Sequence, residues 1–567
     1  MKFYLLLLFL LSNIILSSVA YQHKNMPMPR SFGVAAQEPI AQAIGEKILQ
    51  NGGNAIDAAI AVATSLAVTL PEAGNIAGGG FMMIYIKKEN KVYAIDYREK
   101  APLSAYTNMF VNENNTLNKT LSQDSVWATG VPGTVAGLYL AWEHFATLSW
   151  KELHQDAIKL AKNGFIVPER LHQNLKKAQN QFLNRNHYPL PFFPKNNAIK
   201  TGELLIQTDL ANSLEVIAND GPIAFYNGPL TPLICDFIKE QNGLITPEDF
   251  ARYKSVFRNP VSGNYKGYQI FSMPPPSSGG VLLLQLLDIS SNLPLQQWGY
   301  QDTKTIQALS EAMAIAYQDR SRYLGDPDFI TNPLSHLLDP HRNKSIAKKI
   351  KIAVSKPIRP KQNNLYPSIN IKESNDTTHF SIIDKEGNMV SNTYTLNLRF
   401  GNKIMVPQTG ILLNNEMDDL SAGPDIANAY GLTGSKANEI EAEKRMLSSM
   451  TPTLVLKNNE PFLATGSPGG SRIISIVFQT LINMIDFNMN INEASHAPRI
   501  HYQWKPDILF VEQGINMYSQ QKLLSKGYEL APNPKIGSIQ SVFRDKDLNY
   551  SVNDPRTTPK KSILANQ

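Results

Sequence analysis

The sequence predicts an α+β protein in which helices and antiparallel β-hairpins form separate layers. Apolar residues follow helical spacing over 39–68 and 471–486, towards the two ends of the chain. Between them lie β-rich runs joined by short polar turns, at 81–97 and at 378–396. Because the chain lacks the regular strand–helix–strand alternation of a parallel sheet, we expect helices layered on antiparallel sheets.

The first twenty residues have the pattern of a secretory signal peptide. Met1 and Lys2 precede an apolar run, and the small residues Ser17-Ser18-Val19-Ala20 follow it. A membrane anchor is the alternative, but the apolar run is shorter than the roughly 20 residues that span a bilayer. We therefore predict cleavage after Ala20 and a secreted or periplasmic mature protein without a membrane span.

The first helical region consists of two predicted helices. The stretch "PIAQAIGEKILQNGGNAIDAAIAVATSLAV" at 39–68 has helical spacing interrupted by Gly52 and Gly53, and Asn54 is placed to cap the second helix. Two β-rich runs, "GGGFMMIYI" and "KVYAIDYRE", then flank the polar turn "KKEN". They predict a hairpin whose first strand begins at Phe81.

The rest of the chain divides at a polar connection. Residues 135–350 are mostly helical by periodicity, whereas 355–376 contain three prolines and few residues to bury. We expect that segment to be a flexible connection. Further β-rich runs follow at 378–384, 389–396 and 452–456.

The hairpin at 377–395 is the most specific local prediction. Gly387 in the turn "DKEGN" can supply a positive φ, which centres the turn on Glu386. Facing residues in an antiparallel pair then have numbers that sum to 772, so Thr377 faces Thr395. From the hairpin alone, an ordinary Thr–Thr cross-strand pair remains an alternative to a functional one.

Composition excludes several classes of function. The only cysteine is Cys235, so no internal disulfide can form and a large core must supply the stability. The 54 basic and 48 acidic residues are scattered, and the basic run at 348–362 has no interleaved aromatic residues, which argues against nucleic-acid binding. His379 and His496 have no ligand spacing to each other. We predict neither metal nor other cofactor.

Ten separated stretches resemble the gamma-glutamyltransferases, also called gamma-glutamyl transpeptidases. In chain order they are "NGGNAIDAAIA", "GNIAGGGFM", "DYREKAP", "GVPGTVAG", "MPPPSSGG", "TTHFS", "TYTLN", "GILLNNEMDD", "LSSMTPT" and "GSPGGSRI". The resemblance covers residues 32 to 556 and implies the four-layer αββα sandwich of the N-terminal nucleophile hydrolases. It also implies self-cleavage between Asp376 and Thr377, giving a large subunit, 21–376, and a small subunit, 377–567, that share one domain.

By the same resemblance Thr377 is the nucleophile and Thr395 orients it. Cleavage would give Thr377 a free α-amine with a pKa near 8, a suitable base at working pH. The resemblance assigns the amides of Gly469 and Gly470 to the oxyanion hole. A phosphate-binding nest and a structural turn are alternatives for "GSPGGSRI", although the chain has no P-loop signature.

The remaining matched residues suit the head of a glutamyl substrate. Arg98 with Ser448 and Ser449 would bind its α-carboxylate, and Asn397, Glu416 and Asp419 its α-ammonium. Family members carry Gln or Glu where this chain has Glu416. The segment at 421–445 resembles a lid loop with Tyr430 as its aromatic residue. Taken alone, each of these residues is more often an ordinary surface charge or polar residue. A polar surface loop is the alternative for the lid segment.

Three functions follow for testing. The first is a gamma-glutamyl hydrolase and transferase that acts on glutathione and passes the gamma-glutamyl group to water, amino acids or peptides. The second is a related N-terminal nucleophile enzyme, such as a cephalosporin acylase or a polyglutamate depolymerase, which would keep Thr377 and alter the substrate site. The third is a secreted binding protein with an inert fold, which would remain a single chain.

Overall fold

The computed structural model describes residues 26–358, 376–423 and 426–557. The predicted signal peptide and most of the polar connection at 355–376 lie outside these residues. The two predicted helices are present as Pro39–Gln50 and Ala55–Thr69, and Asn54 caps the second through a capping box with Asp57. Nowhere in the described part of the chain is a helix both long and apolar enough to cross a bilayer.

Sheet I contains six antiparallel strands. Its centre is the predicted hairpin, in which Thr377–Ile383 pairs with Met389–Thr395. Thr377 faces Thr395, and Gly387 in the turn has a φ of 90°, so the predicted register is confirmed. In order across the sheet the strands are Gly33–Ala36, Thr377–Ile383, Met389–Thr395, Gly79–Ile86, Lys91–Tyr97 and Val256–Arg258.

Sheet II also contains six antiparallel strands. In order they are Leu548–Asn553, Gln540–Asp545, Glu460–Gly466, Thr453–Lys457, Tyr268–Ser272 and Val261–Tyr265. Three of the strands in the two sheets, between residues 256 and 272, fall inside the region that periodicity made mostly helical. They are short and separated by Pro260 and the Lys266-Gly267 turn, so the helical spacing on either side obscured them.

Three apolar cores separate four layers. The space between the sheets is filled by alternate residues of both, including Phe81, Met83 and Ile383 from sheet I and Leu454 and Val542 from sheet II. The outer face of sheet I packs on the helices of residues 39–252, and the outer face of sheet II packs on those of 279–354 and 473–485. The fold is therefore the expected αββα sandwich.

The helices of the two outer layers differ in burial: some are amphipathic, whereas Ala55–Thr69 is buried all round. Those over sheet I are Pro39–Gln50, Ala55–Thr69, Thr134–Phe145, Trp150–Asn163, Glu169–Arg185, Thr208–Asp220 and Leu230–Glu240. Those over sheet II are Gly279–Ser291, Thr303–Tyr323, Pro340–Val354, Ile473–Ile485 and Met517–Ser525. Shorter strand pairs, including Met405–Val406 with Ile411–Leu412, form separate small sheets outside sheets I and II.

Candidate active site

The paired threonines lie at one end of sheet I, with their side chains directed between the sheets. Thr377 Oγ1 donates a hydrogen bond to Thr395 Oγ1 at 3.3 Å, and Thr395 Oγ1 lies 3.4 Å from the carbonyl oxygen of Asp376. The backbone N–H of Asn397 also donates to Thr395 Oγ1, at 2.9 Å. A hydroxyl has one proton and two lone pairs. Thr395 therefore accepts from Thr377 and Asn397 and directs its own proton at the Asp376 carbonyl.

A small cavity lies beside this pair. Its volume is about 20 Å³, which is room for about one water molecule. Thr377 is only 4% exposed, so a substrate enters only after part of the wall moves. The predicted site residues that line the cavity are Arg98, Thr377, Thr395, Asn397, Glu416, Asp419, Tyr430, Ser448, Ser449 and Gly470.

Arg98 is fully buried and is paired with carboxylates of the protein. Its guanidinium donates to Glu416 Oε1, to Asp419 Oδ2 at 2.6 Å and to the carbonyl oxygen of Met446 at 3.2 Å. Burial alone would lower the pKa of Arg98, but the neighbouring carboxylates raise it overall. The expected carboxylate partner of Arg98 is thus replaced, in the closed site, by the acids that we expected to bind an ammonium.

One of the surrounding carboxyls has no hydrogen-bond donor among the described residues. Glu99 is completely buried, neither of its oxygens accepts a hydrogen bond of good geometry from a described residue, and Oε2 forms an ion pair with Arg98 at 3.5 Å. Burial raises the pKa of Glu99 to about 7 against the attraction of Arg98. Burial likewise raises the pKa of Glu416 well above its usual range. One guanidinium therefore faces three acids, and at least one of the acids favours its protonated form.

The lid segment covers the cavity. Tyr430 is 5% exposed, and its hydroxyl donates to the carbonyl oxygen of Asn397 at 2.7 Å. A Cβ added to Gly470 would lie 2.5 Å from the Tyr430 ring, so only glycine permits this close approach. Asn397 donates its side-chain amide to the Asn415 carbonyl oxygen at 2.9 Å, and its Oδ1 is buried at the cavity with no hydrogen-bond partner among the residues that the structure describes.

The serine pair forms the wall opposite the acids. Ser448 is held through its backbone, which bonds Pro276 and Ser278, while the hydroxyl of Ser449 is buried without a partner among the described residues. Arg320 donates to Ser278 Oγ at 3.0 Å and to the Leu447 carbonyl oxygen at 3.4 Å. Burial lowers the pKa of Arg320 to about 10. Arg320 thus holds the backbone around Ser448 in place through Ser278 and Leu447.

The glycine pair precedes the helix Ile473–Ile485. Gly469 and Gly470 have φ values of 140° and 55°, and Gly470 lines the cavity. In the described part of the chain, neither amide donates to another loop or to a side chain. Gly470 lines the cavity together with Thr377, so backbone donors at this helix N-terminus can bind an anion beside the Thr377 hydroxyl.

A sequence profile described as gamma-glutamyltranspeptidase matches residues 41–564. The chain belongs to the gamma-glutamyltranspeptidase family. It is 45% identical to the glutathione hydrolase proenzyme of Escherichia coli (strain K12), covering 92% of this chain and 90% of that protein. It is 37% identical to the glutathione hydrolase proenzyme of Bacillus subtilis (strain 168), covering 93% and 90%.

Solved structures place this transpeptidase among the N-terminal nucleophile hydrolases. A cephalosporin acylase from Bacillus halodurans superposes with a TM-score of 0.81 at 25% identity, covering 94% of this chain and 95% of that chain. The gamma-glutamyltranspeptidase of Helicobacter pylori superposes with a TM-score of 0.54 at 41% identity. That match covers 59% of this chain and 93% of the other.

Sequence reasoning missed three charged residues around the site of the transpeptidase. Glu99 adjoins Arg98 in a matched motif, but nothing in one sequence separates a buried acid of the site from a surface acid. Arg320 reads as an ordinary basic residue near a helix C-terminus. Arg399, whose Nε lies 3.2 Å from the carboxylate of Asp376, reads as a surface arginine. Within the described ranges, no cluster of three or more histidines, cysteines or acids has the arrangement of a metal site.

Proposed function

We propose that this chain is the precursor of a glutathione hydrolase that also transfers gamma-glutamyl groups. The enzyme cleaves the gamma-glutamyl amide bond of glutathione and related compounds through an ester on Thr377. Water, an amino acid or a peptide then takes the gamma-glutamyl group. The observation that carries this proposal is the Thr377–Thr395 hydroxyl pair at the edge of a cavity lined by one guanidinium and two carboxylates.

Maturation is the first step. The Thr377 hydroxyl attacks the carbonyl carbon of Asp376, the peptide becomes an ester, and water releases a large chain, 21–376, from a small chain, 377–567. The hydrogen bond from Thr395 to the Asp376 carbonyl oxygen supports this step, because it polarises the bond under attack. The solved Helicobacter pylori chain matches 59% of this chain, which is close to the share of the sequence that the proposed large chain would contain.

Turnover uses the amine that maturation creates. The α-amine of Thr377, with an ordinary pKa near 8, removes the proton of the Thr377 hydroxyl as that oxygen attacks the gamma-carbonyl carbon. The amides of Gly469 and Gly470 stabilise the resulting oxyanion by roughly 3 kcal/mol per donor. Thr395 holds the hydroxyl in place through the bond already present in the precursor.

The substrate head occupies the polar end of the cavity. Its α-carboxylate takes the guanidinium of Arg98 and the hydroxyls of Ser448 and Ser449. Its α-ammonium takes Asp419, Glu416 and the free Oδ1 of Asn397. Tyr430 moves with the lid to admit the substrate and closes over it.

The acylase alternative has weaker support. The Bacillus halodurans acylase shares the fold at 25% identity, whereas the glutathione hydrolase proenzyme of Escherichia coli is 45% identical over most of both chains. The presence of Arg98, Ser448 and Asp419 together at the cavity, a set suited to the head of a glutamyl group, also argues against an acylase. An inert binding protein would remain a single chain, which a denaturing gel distinguishes.

We also propose that the protein is exported. The pattern of residues 1–20 supports a cleaved signal peptide, and export would place the enzyme where extracellular or periplasmic glutathione is available. The basis for this proposal is the sequence alone, since those residues lie outside the described ranges. N-terminal sequencing of the mature large chain tests it, with Tyr21 as the expected first residue.

The deciding experiment compares wild-type protein with Thr377→Ala. On a denaturing gel the wild type gives two bands, and sequencing of the smaller gives Thr-Thr-His-Phe-Ser. The wild type hydrolyses a gamma-glutamyl anilide, and a dipeptide acceptor raises the rate. Thr377→Ala remains one chain and is inactive, because both steps need the same hydroxyl. A single wild-type chain, or a small chain that begins elsewhere, refutes the proposal.

A further inference from the structure

We propose that Arg399 and Lys403 form a carboxylate-binding subsite for the acceptor or leaving group, specifically for an α-amino acid that carries a free carboxylate. This inference rests on the proposed self-cleavage, because the subsite opens only when Asp376 leaves it. The subsite lies apart from the cavity around Arg98, whose lining includes neither Arg399 nor Lys403.

In the uncleaved chain the side chain of Asp376 fills this subsite. Its carboxylate lies 3.2 Å from Arg399 Nε and is 2% exposed. Burial raises the pKa of Asp376, while Arg399 and Lys403 favour its charged form. A carboxylate of the chain therefore already occupies the position that we assign to the carboxylate of a ligand.

No other carboxylate in the described part of the chain pairs with these two cations. Arg399 Nη1 donates to the neutral Asn174 at 2.9 Å, and Lys403 Nζ donates to the Gly401 carbonyl oxygen at 2.9 Å. Burial lowers the pKa of Lys403 to about 8, against the attraction of Asp376. Removal of Asp376 by cleavage therefore leaves the Arg399 guanidinium without its carboxylate, and the charge of Lys403 still acts on the position that Asp376 held.

The acids nearby are already committed to other arginines. Glu72 lies 3.1 Å from Arg170, and Asp124 lies 2.9 Å from Arg185. Once Asp376 has gone, this group of side chains contains four basic members and two acidic ones. The basic members are Arg170, Arg185, Arg399 and Lys403, and the acidic ones are Glu72 and Asp124. The local charge then favours an incoming anion.

The subsite has the right position for an amine that reacts at Thr377. Asp376 is bonded directly to Thr377, and its side-chain carboxyl lies only a few covalent bonds from the carbonyl that Thr377 attacks. In an α-amino acid the carboxylate is similarly close to the amine. The Arg399 side chain is 27% exposed while its Nε is buried against Asp376, so departure of Asp376 would open that edge of the guanidinium to a ligand. An amino acid whose amine meets the ester on Thr377 therefore places its carboxylate against Arg399.

The subsite positions the amine and adds no new chemistry. The amine nitrogen attacks the ester carbon and forms the new C–N bond, and the bond from that carbon to Thr377 Oγ breaks. The proton lost by the amine passes through the α-amine of Thr377 to Oγ, which regenerates the hydroxyl. In the reverse direction the same contact holds the carboxylate of an amino-acid leaving group.

The test compares acceptors that differ only in the carboxylate. A gamma-glutamyl anilide is the donor, and L-alanine and L-alaninamide are the acceptors, with transfer product measured on matured enzyme. We expect the acceptor KM of wild-type enzyme to be about tenfold lower for alanine than for the amide, because one hydrogen bond to a charged group contributes about that much. Arg399→Met abolishes that difference between the two acceptors.

Arg170→Met is the matched control, because it removes a partly exposed arginine that pairs with Glu72 in the same group. We expect it to keep the preference for alanine. If Arg399→Met fails to mature, Arg399→Lys, which keeps a charge opposite Asp376, replaces it and reduces the preference without abolishing it.

Two results overturn the inference. A wild-type enzyme that transfers to both acceptors with the same KM means that the new C-terminus at Asp376 stays on Arg399. An equal loss of preference in Arg399→Met and Arg170→Met means that net charge, and not the subsite, selects the acceptor. If the wild type stays uncut or hydrolyses no gamma-glutamyl anilide, the proposed function itself fails, and that outcome is visible before any acceptor is added.

Discussion

Arg98 illustrates, at the scale of the residue, how a buried charge prepares a site for a zwitterion. In the closed site the guanidinium is paired with Glu416 and Asp419, because an unpaired buried charge would cost several kcal/mol. A substrate head brings one carboxylate and one ammonium together. Arg98 can take the carboxylate while the two acids take the ammonium, so the exchange of partners leaves no charge unpaired.

Replacement of Arg98 should separate substrate binding from maturation. Arg98→Lys keeps the positive charge but loses the planar fork, so we expect kcat/KM for a gamma-glutamyl anilide to fall by about a hundredfold, mainly through KM. The chain should still divide in two, because maturation binds no glutamate. Steady-state kinetics and a denaturing gel measure both effects. An unchanged KM, or equal cleavage of an α-linked glutamyl anilide by the wild type, contradicts the role of Arg98.

Glu99 should make stability depend on pH. Its pKa is raised to about 7 by burial, above the ordinary value of 4.5, so the folded protein holds a proton that the unfolded chain has lost. The stabilisation is complete below about pH 4.5 and disappears as pH rises through 7, a change of up to about 3 kcal/mol. Glu99→Gln should flatten this decline. Thermal midpoints of both proteins from pH 5 to 8 test it, and parallel curves would count against it.

At the scale of the element, the hairpin at 377–395 fixes the distance between the two hydroxyls. The strand register, and not the side chains, brings Thr395 opposite Thr377. Thr395→Ala should therefore leave the fold intact and slow self-cleavage by about tenfold, because the hydrogen bonds of Thr395 to the Thr377 hydroxyl and to the Asp376 carbonyl oxygen are lost. Thr395→Ser, which keeps the hydroxyl, is the control. Gel densitometry over time gives the rates, and cleavage of Thr395→Ala at the wild-type rate would exclude this role.

The hairpin also shows what a single sequence reveals. Its register follows from the turn around Glu386 and Gly387, which is local chemistry, and the helices at 39–69 follow from spacing and the Asn54 cap. The partners of Arg98 come from residues more than 300 positions away, so no local pattern predicts them. The strand Gly33–Ala36 is too short to show a period of its own, and only its pairing with 380–383 identifies it.

At the scale of the whole molecule, both sheets combine strands from the two proposed chains. Sheet I places the small-chain hairpin between the large-chain strands Gly33–Ala36 and Gly79–Ile86. Sheet II joins the large-chain strands at 261–272 to four strands of the small chain. Neither chain therefore contains a complete sheet, and each would expose unpaired strand edges alone.

This interleaving predicts that cleavage does not dissociate the protein. The mature chains should elute together in size-exclusion chromatography under native conditions and separate only in denaturant. Expressed alone, residues 377–567 should be insoluble. The hairpin would lack the strands on both of its sides, and the small-chain strands of sheet II would lack the apolar residues of the large chain that cover them. A soluble small chain with a cooperative thermal transition would contradict this view of the assembly.

The contact between Arg30 and Asn549 has a consequence for how the gene could be rewritten. Their backbones exchange two hydrogen bonds, of 2.9 and 2.7 Å, so the beginning and end of the described chain meet on one edge of the sandwich. A short linker could join these ends, and translation could then start with a methionine ahead of Thr377. Removal of that methionine by the cell would expose the amine of Thr377 directly. Circular permutation would thus yield a catalyst that never passes through a zymogen.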